Sequence, residues 1–166
     1  MKNRFHIKVK NLRQLYEAQG RRLLGYLLRR TGDPQLAADL TQEAFTRCLE
    51  RYPDRELNAA LLFVIGRHLL YDHARRKTKQ VEFQEADCPD GKDPEAQFLV
   101  RDECRRMLSA LQQLADEERD LLSLAVTSGL SYQEIAAMTG HSLANVKVKV
   151  HRARLRLRKI LDVEAS

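Results

Sequence analysis

At 166 residues, 43% hydrophobic and 31% charged, the chain is long enough for one domain or two small ones and too apolar for a disordered polypeptide. A net charge of +6 selects an anionic partner, nucleic acid or an anionic membrane surface. Three scattered cysteines (Cys48, Cys88, Cys104) exclude a disulfide framework and fit a reducing cytoplasm, "MKNRFHIKVK" lacks the apolar stretch of a signal peptide, and the eight-residue "AALLFVIG" is too short to span a bilayer.

The chain opens on "FHIKVK", its one β-like stretch, which has no evident partner strand. From Asn11 to Arg30, Leu12, Leu15, Tyr16, Leu23, Leu24 and Leu27 recur at the spacing of one helix face. Gly32 ends that helix. Asp33-Pro34 opens the next, with a capping carboxylate and a proline at the first helical position, where its missing N–H costs nothing. This second helix is expected to run to Glu50 or Arg51 and to stop before Pro53. A third begins near Leu57, apolar nearly all round through "AALLFVIG" and hence buried, then turns basic in "RHLLYDHARRK".

From Lys77 to Ala96 the periodicity gives way to acids, Pro89, Gly91 and Pro94, the composition of a linker. The expected architecture is all-α: two small helical domains, residues 1–78 and 97–166, joined by an acidic flexible linker over 79–96. The charge is uneven across them. Residues 1–76 carry 15 basic and 8 acidic side chains, residues 77–97 carry 3 and 6, and residues 98–166 carry 11 and 9.

In the second domain Phe98, Cys104, Met107, Leu108, Leu111 and Leu114 mark one helix, and Asp116 is expected to cap another that runs through Ser128 to Gly129. Ser131-Tyr-Gln-Glu134 is a capping box. The short helix it starts ends near Met138, Thr139-Gly140-His141 turns the chain, and Ser142 caps a last helix. Two helices around a Gly-containing turn of about three residues form a helix-turn-helix pattern. Leu143, Val146, Val150, Ala153, Leu157 and Ile160 form the buried stripe of the last helix. Between Lys147 and Lys159 stand seven basic residues and no acid. Such a helix offers its N-terminal half to base edges in the major groove and the rest to phosphates. Asn145, Lys147, Val148, His151 and Arg152 are the candidates for base edges, Val148 through a thymine methyl; Lys149, Arg154, Arg156 and Arg158 are candidates for phosphates. The alternative for the same run is a solvated basic face that complements the helix dipole.

"GLSYQEIAAMTGHSLANVKVKVHRARLRLRKIL" resembles region 4 of bacterial extracytoplasmic-function (ECF) sigma factors. Independently, "RRTGDPQLAADLTQEAFTRCLE" and "RHLLYDHARR" resemble region 2 of the same family, in the right order and across nearly the whole chain. Four positions depart from the pattern: Leu61 stands at an aromatic position, His68 at a usual Asn, Ala115 at a usual Pro and Val148 at a common Ser.

The resemblance implies an alternative sigma factor that docks on core RNA polymerase, through its β′ clamp and β flap, and directs promoter-specific initiation. It implies polymerase contacts at Asp39, Leu40, Gln42, Glu43, Thr46 and Glu50. Arg67, His68, Asp72, Arg75, Arg76 and Lys77 would face the unpaired minus-ten element, and the Glu50–Ala59 loop would hold a flipped base. Ser142, Asn145, Lys147, Val148, Lys149, His151, Arg152 and Arg154 would meet the minus-thirty-five duplex. An anti-sigma factor, often membrane-bound in the family, is the implied regulator. "ALLFVIGRHLLYDHARR" and "SLANVK" are most similar to the iron-starvation branch that controls ferric-siderophore uptake. The acidic linker is either a solvated tether or a segment that threads the polymerase's basic RNA path.

Two other classes compete. A two-domain helix-turn-helix regulator that binds operators explains the second half but not the acidic face between Asp39 and Glu50. An enzyme would need a site, and none is legible: His68 and His73 lie on different helix faces, and no Cys pair, phosphate-binding Gly loop or nucleophile arrangement accompanies them. No metal or cofactor is expected.

Overall fold

The computed structural model describes residues 2–52, 58–77 and 94–164, with side chains over 12–52, 58–76 and 101–163. Seven helices make up the described residues: α1 (Lys2–Thr31), α2 (Pro34–Arg51), α3 (Ala59–Lys77), α4 (Pro94–Gln112), α5 (Asp116–Thr127), α6 (Tyr132–Thr139) and α7 (Leu143–Glu164).

Helix α1 begins well upstream of the expected Asn11 and takes in "FHIKVK". Among the described residues the alternation there has no second strand to pair with, and a helix satisfies its backbone groups locally. Gly32, at φ 68°, turns the chain out of α1. Asp33 then caps α2 as its sequence dictates, its carboxylate accepting the Leu36 N–H at 3.0 Å, with Pro34 at the first helical position. Helix α3 starts two residues later than expected because Asn58 caps it, accepting the Leu61 N–H at 2.9 Å. Leu23, Tyr26 and Leu27 of α1, Leu40, Ala44 and Cys48 of α2, and Leu62, Phe63 and Leu69 of α3 form the core of this three-helix half. Gly66 allows the close approach of α3 to α1, since a Cβ there would lie 2.8 Å from Leu23 Cδ1.

The second half is built around α5 and α7. Helix α4 starts at Pro94, so the last residues assigned to the linker are helical; the remainder of the linker, and most of the Glu50–Ala59 loop, lie outside the described residues. Asp116 does not cap α5: the cap residue is Ala115, with no side-chain bond, and the Asp116 carboxylate is taken by Arg30. Its acidic neighbours still favour the positive helix terminus. The Ser131–Glu134 capping box forms as expected, Glu134 N–H donating to Ser131 Oγ at 3.2 Å and Ser131 N–H to Glu134 Oε2 at 2.7 Å. Gly140 ends α6 at φ 74°, and Ser142 Oγ accepts the Asn145 N–H at 3.1 Å to start α7. Val146, Val150 and Ala153 are buried, with Leu157 and Ile160 partly so, which is the expected inner stripe.

The halves do not stand apart. Helix α1 packs on α4 and α5, and α3 touches α6. Gln112 Nε2 donates to Arg29 O at 3.1 Å across this seam, and Gly129, at φ 72°, lies against Arg22.

Candidate functional site

The polar surfaces of the molecule fall into three groups. On α2, Asp39, Gln42, Glu43, Thr46 and Glu50 are all exposed, on the face opposite Ala37, Ala44 and Cys48. Their local bonds are those of a surface: Gln35 Nε2 donates to Asp39 at 3.1 Å, and Arg47 pairs with Glu43 at 2.6 Å. Leu40, grouped with them from the sequence, is buried in the core of its own domain, where it supports this face without forming part of it.

The recognition-type helix α7 has three exposed strips. Val148 and Leu155, seven residues and two turns apart, lie along the outermost line with Arg152 and Lys159 beside them; each of the two apolar residues is 45% exposed. Lys147, His151, Arg154 and Arg158 flank that line on one side. On the other, Lys149 and Arg156 are held by the acidic first turn of α5: Lys149 Nζ bonds Glu117, and Arg156 Nη1 donates to Glu118 Oε2 at 2.8 Å. Glu117 also reaches His141, in the turn between α6 and α7, at 2.9 Å. The Lys149 ammonium holds the Glu117 carboxyl below its usual range. Among the described residues, Lys147, Arg152, Arg154 and Arg158 make no ion pair. Asn145 is exposed beside His141, Val148 is set for an apolar contact, and Ser142 is committed to capping. A basic face with its buried stripe turned inward can lie along a duplex groove.

On α3, His68, Arg75 and Arg76 are exposed and Asp72 is half-buried, while the Lys77 side chain lies outside the described residues. Arg67 is different. Its side chain is 20% exposed, and its Nε donates to Asp120 Oδ2 of α5 at 2.7 Å while its guanidinium lies over the Tyr71 ring. Asp120 is 1% exposed. Its other oxygen accepts from Tyr26 Oη at 2.6 Å and lies 3.2 Å from Arg30 Nε; Tyr71 Oη stands 3.4 Å from Oδ2. Arg30 adds two bonds to Asp116, at 2.8 and 3.1 Å. Burial opposes the charge on Arg30 and Arg67, but the carboxylates outweigh it and both guanidinium groups are held more basic than usual. Burial and the neighbouring Asp120 push the Tyr26 and Tyr71 hydroxyls up, so both stay protonated donors.

This cluster lies beyond what local sequence pattern shows, because its members are far apart in the chain. The available signal was a charge on an apolar stripe: Arg30 follows Leu23 and Leu27 on the inner face of α1, and Asp120 precedes Leu124 by one turn on α5. A charge in such a place requires a partner.

Residues 15–80 match the sigma-70 region 2 family and residues 104–157 match sigma-70 region 4. The RNA polymerase sigma factor YlaC of Bacillus subtilis is 31% identical over 90% of this chain and 91% of its own. The ECF RNA polymerase sigma factor EcfG of Rhodopseudomonas palustris is 30% identical over 87% and 81%. The chain belongs to the ECF sigma factors of the sigma-70 family. As a sigma factor it is a transcription initiation factor and not an enzyme. The fold agrees: CnrH, solved in complex with the cytosolic domain of CnrY, superposes with a TM-score of 0.68 at 27% identity, over 92% of this sigma factor and 88% of CnrH. RpoE of Bartonella quintana, solved with the anti-sigma factor NepR, gives 0.73 at 24% identity over 93% and 98%. No described helix of the sigma factor is long and apolar enough to cross a membrane.

Proposed function

We propose that this ECF sigma factor binds core RNA polymerase through the exposed acidic face of α2, reads a minus-thirty-five duplex with α7 and captures unpaired minus-ten DNA along α3. The observation that carries the reading is the sorting of charge. Three acids share one exposed face of an otherwise strongly basic domain, while the unpaired cations of the other domain share the outer face of a helix-turn-helix. Acids so placed repel DNA and suit a protein contact; the cations suit phosphates and base edges. Control by an anti-sigma factor is supported by RpoE, solved with the anti-sigma factor NepR, and is in keeping with CnrH, solved with the cytosolic domain of CnrY; work in the cytoplasm is the reading that suits a polymerase partner. Assignment to the iron-starvation branch rests on "ALLFVIGRHLLYDHARR" and "SLANVK" alone.

Reconstitution with purified core polymerase tests the reading. The purified chain should add promoter-specific transcripts to those of core polymerase on host genomic DNA, and an operator binder would add none. Asp39→Ala with Glu43→Ala should lower core-polymerase capture while the helical circular dichroism stays unchanged. Capture at the wild-type level would overturn the α2 assignment.

A further inference from the structure

Two consecutive heptads of α7, "KVKVHRA" (147–153) and "RLRLRKI" (154–160), repeat one order of side chains: basic, apolar, basic, apolar, basic, basic, apolar. A seven-residue repeat returns each row to the same line of the helix after two turns, about 10 Å further along. The fourth and seventh rows, Val150 with Leu157 and Ala153 with Ile160, face the domain's own core. The third row is Lys149 with Arg156, and the α5 acids Glu117 and Glu118 hold both. Along this flank α7 therefore already meets an acidic helix, through packing and ion pairs together.

The second row has no such neighbour. Val148 and Leu155 are each 45% exposed, and the exposed rows on either side of them, His151 with Arg158 and Arg152 with Lys159, are basic. A duplex accounts for only part of this face. The N-terminal half of a recognition helix meets base edges, where Val148 reaches a thymine methyl; Leu155, two turns on, lies among side chains that face phosphate, where an apolar group gains nothing. A second copy of α7 would set like charges against each other. The apolar row and its basic borders are together complemented by a helix that carries apolar residues at the same seven-residue spacing with carboxylates beside them. A shared repeat keeps two such helices in contact across both turns. Its carboxylates would pair Arg152 and Arg158 as Glu117 and Glu118 pair the opposite flank.

We infer that the outer face of α7 is also a protein-docking surface, on which an acidic amphipathic helix of a regulatory protein packs over Val148 and Leu155 and competes with duplex DNA. The competition rests on the DNA-facing reading of α7; the docking does not, and the two are measured separately.

The probe for docking is a fluorescein-labelled three-heptad peptide with Leu recurring every seven residues and Glu beside it. The control peptide has the same composition in an order that breaks the Leu spacing. The full chain should bind the patterned peptide at least about tenfold more tightly in an anisotropy titration at physiological salt, since only that peptide buries Leu155. Leu155→Ser should weaken the patterned peptide by about tenfold. Its affinity for a non-cognate duplex should stay within about twofold of wild type, which also shows that the variant folds. Equal binding of the two peptides, or equal binding of the patterned one to wild type and Leu155→Ser, overturns the docking surface. A wild-type dimer in sedimentation that Leu155→Ser dissociates overturns it too, because a second copy is then the occupant. For competition, the unlabelled patterned peptide should release a labelled non-cognate duplex in step with its own occupancy. A duplex that stays bound at saturating peptide overturns the shared face. Wild type that binds the patterned peptide but no duplex overturns the DNA-facing reading of α7 and supports the docking surface.

Discussion

Two of the seven cations of α7 are committed to acids of α5, Lys149 to Glu117 and Arg156 to Glu118, and this should set the salt dependence of DNA binding. A cation held by a carboxylate releases no counterion when a phosphate comes near, so it does not contribute to the slope of log affinity against log salt. Changing Glu117→Gln and Glu118→Gln together frees both. Each added phosphate contact steepens the slope by about 0.9, so the pair should steepen it by about 1.8. Across the fourfold range from about 50 to about 200 mM salt, that is roughly a twelvefold greater loss of affinity than wild type suffers. Binding to a non-cognate duplex at low salt should be tighter by a comparable factor. The assay is a fluorescence-anisotropy titration of the full chain at five or six salt concentrations, with melting curves run alongside because both acids also favour the N-terminus of α5. An unchanged slope would mean that both cations already leave their carboxylates for phosphates in the wild-type complex, and the division of α7 into a committed and an available flank would be wrong.

Gly66→Ala sets two effects against each other. Helix propensity gains about 1 kcal/mol, but the new methyl meets the fully buried Leu23, and overpacking costs about 1–3 kcal/mol. A net loss of up to about 2 kcal/mol is expected in denaturant unfolding, and a more stable variant would refute the close α1–α3 approach. Stability should also fall with acid. The hydrogen bonds from Arg30 hold the Asp116 carboxyl below its unfolded value, so the stabilisation is present above about pH 4 and is lost as the pH drops through the lower folded value. Asp116→Asn should flatten part of that loss in melting curves from pH 5 to 2. Glu117, lowered by Lys149, supplies a further part, and an unaltered pH profile would rule out the Arg30–Asp116 contribution.

Local rules made most of the fold legible. Asp33-Pro34, Ser131-x-x-Glu134 and Gly140 each act within four residues, through a cap or a left-handed turn, and each stands where its chemistry predicts. The inner stripe of α7 was readable for the same reason, since a helical period is a local property. Errors arose where a local signal was weak. "FHIKVK" alternates like a strand yet is absorbed into α1, and the capping signal of Asn58 is masked by the stronger apolar run that follows it. Asp116 carries the local signature of a cap, and nothing local reveals that Arg30, 86 residues away, takes its carboxylate. Of the candidate site, the exposed acids of α2 and the outer face of α7 follow from periodicity, but the seam does not: its bonds join residues 49 to 94 positions apart.

The acids of α5 link these observations. Asp116, Glu117, Glu118 and Asp120 fall within five consecutive residues, and helical geometry sends them two ways. Asp116 and Asp120, four apart, share the face turned to α1 and α3, where they hold Arg30 and Arg67. Glu117 and Glu118 turn to α7, where they hold Lys149 and Arg156. One short helix thus neutralises basic groups on both surfaces proposed to face nucleic acid, through contacts that differ in burial. Asp120 is dry, so removing its charge strands the buried guanidinium of Arg30, whereas Glu117 is half exposed and screened, so removing it changes how strongly the α7 surface attracts phosphate. Substitutions only three residues apart should therefore part into two classes. Changes at position 120 should lower the melting temperature by stranding the buried Arg30 guanidinium, and changes at 117 should alter the salt slope with little loss of stability. A Glu117→Gln protein as destabilised as Asp120→Asn would show that α5 acts as a single electrostatic unit, and the helical sorting of its acids would carry no functional meaning.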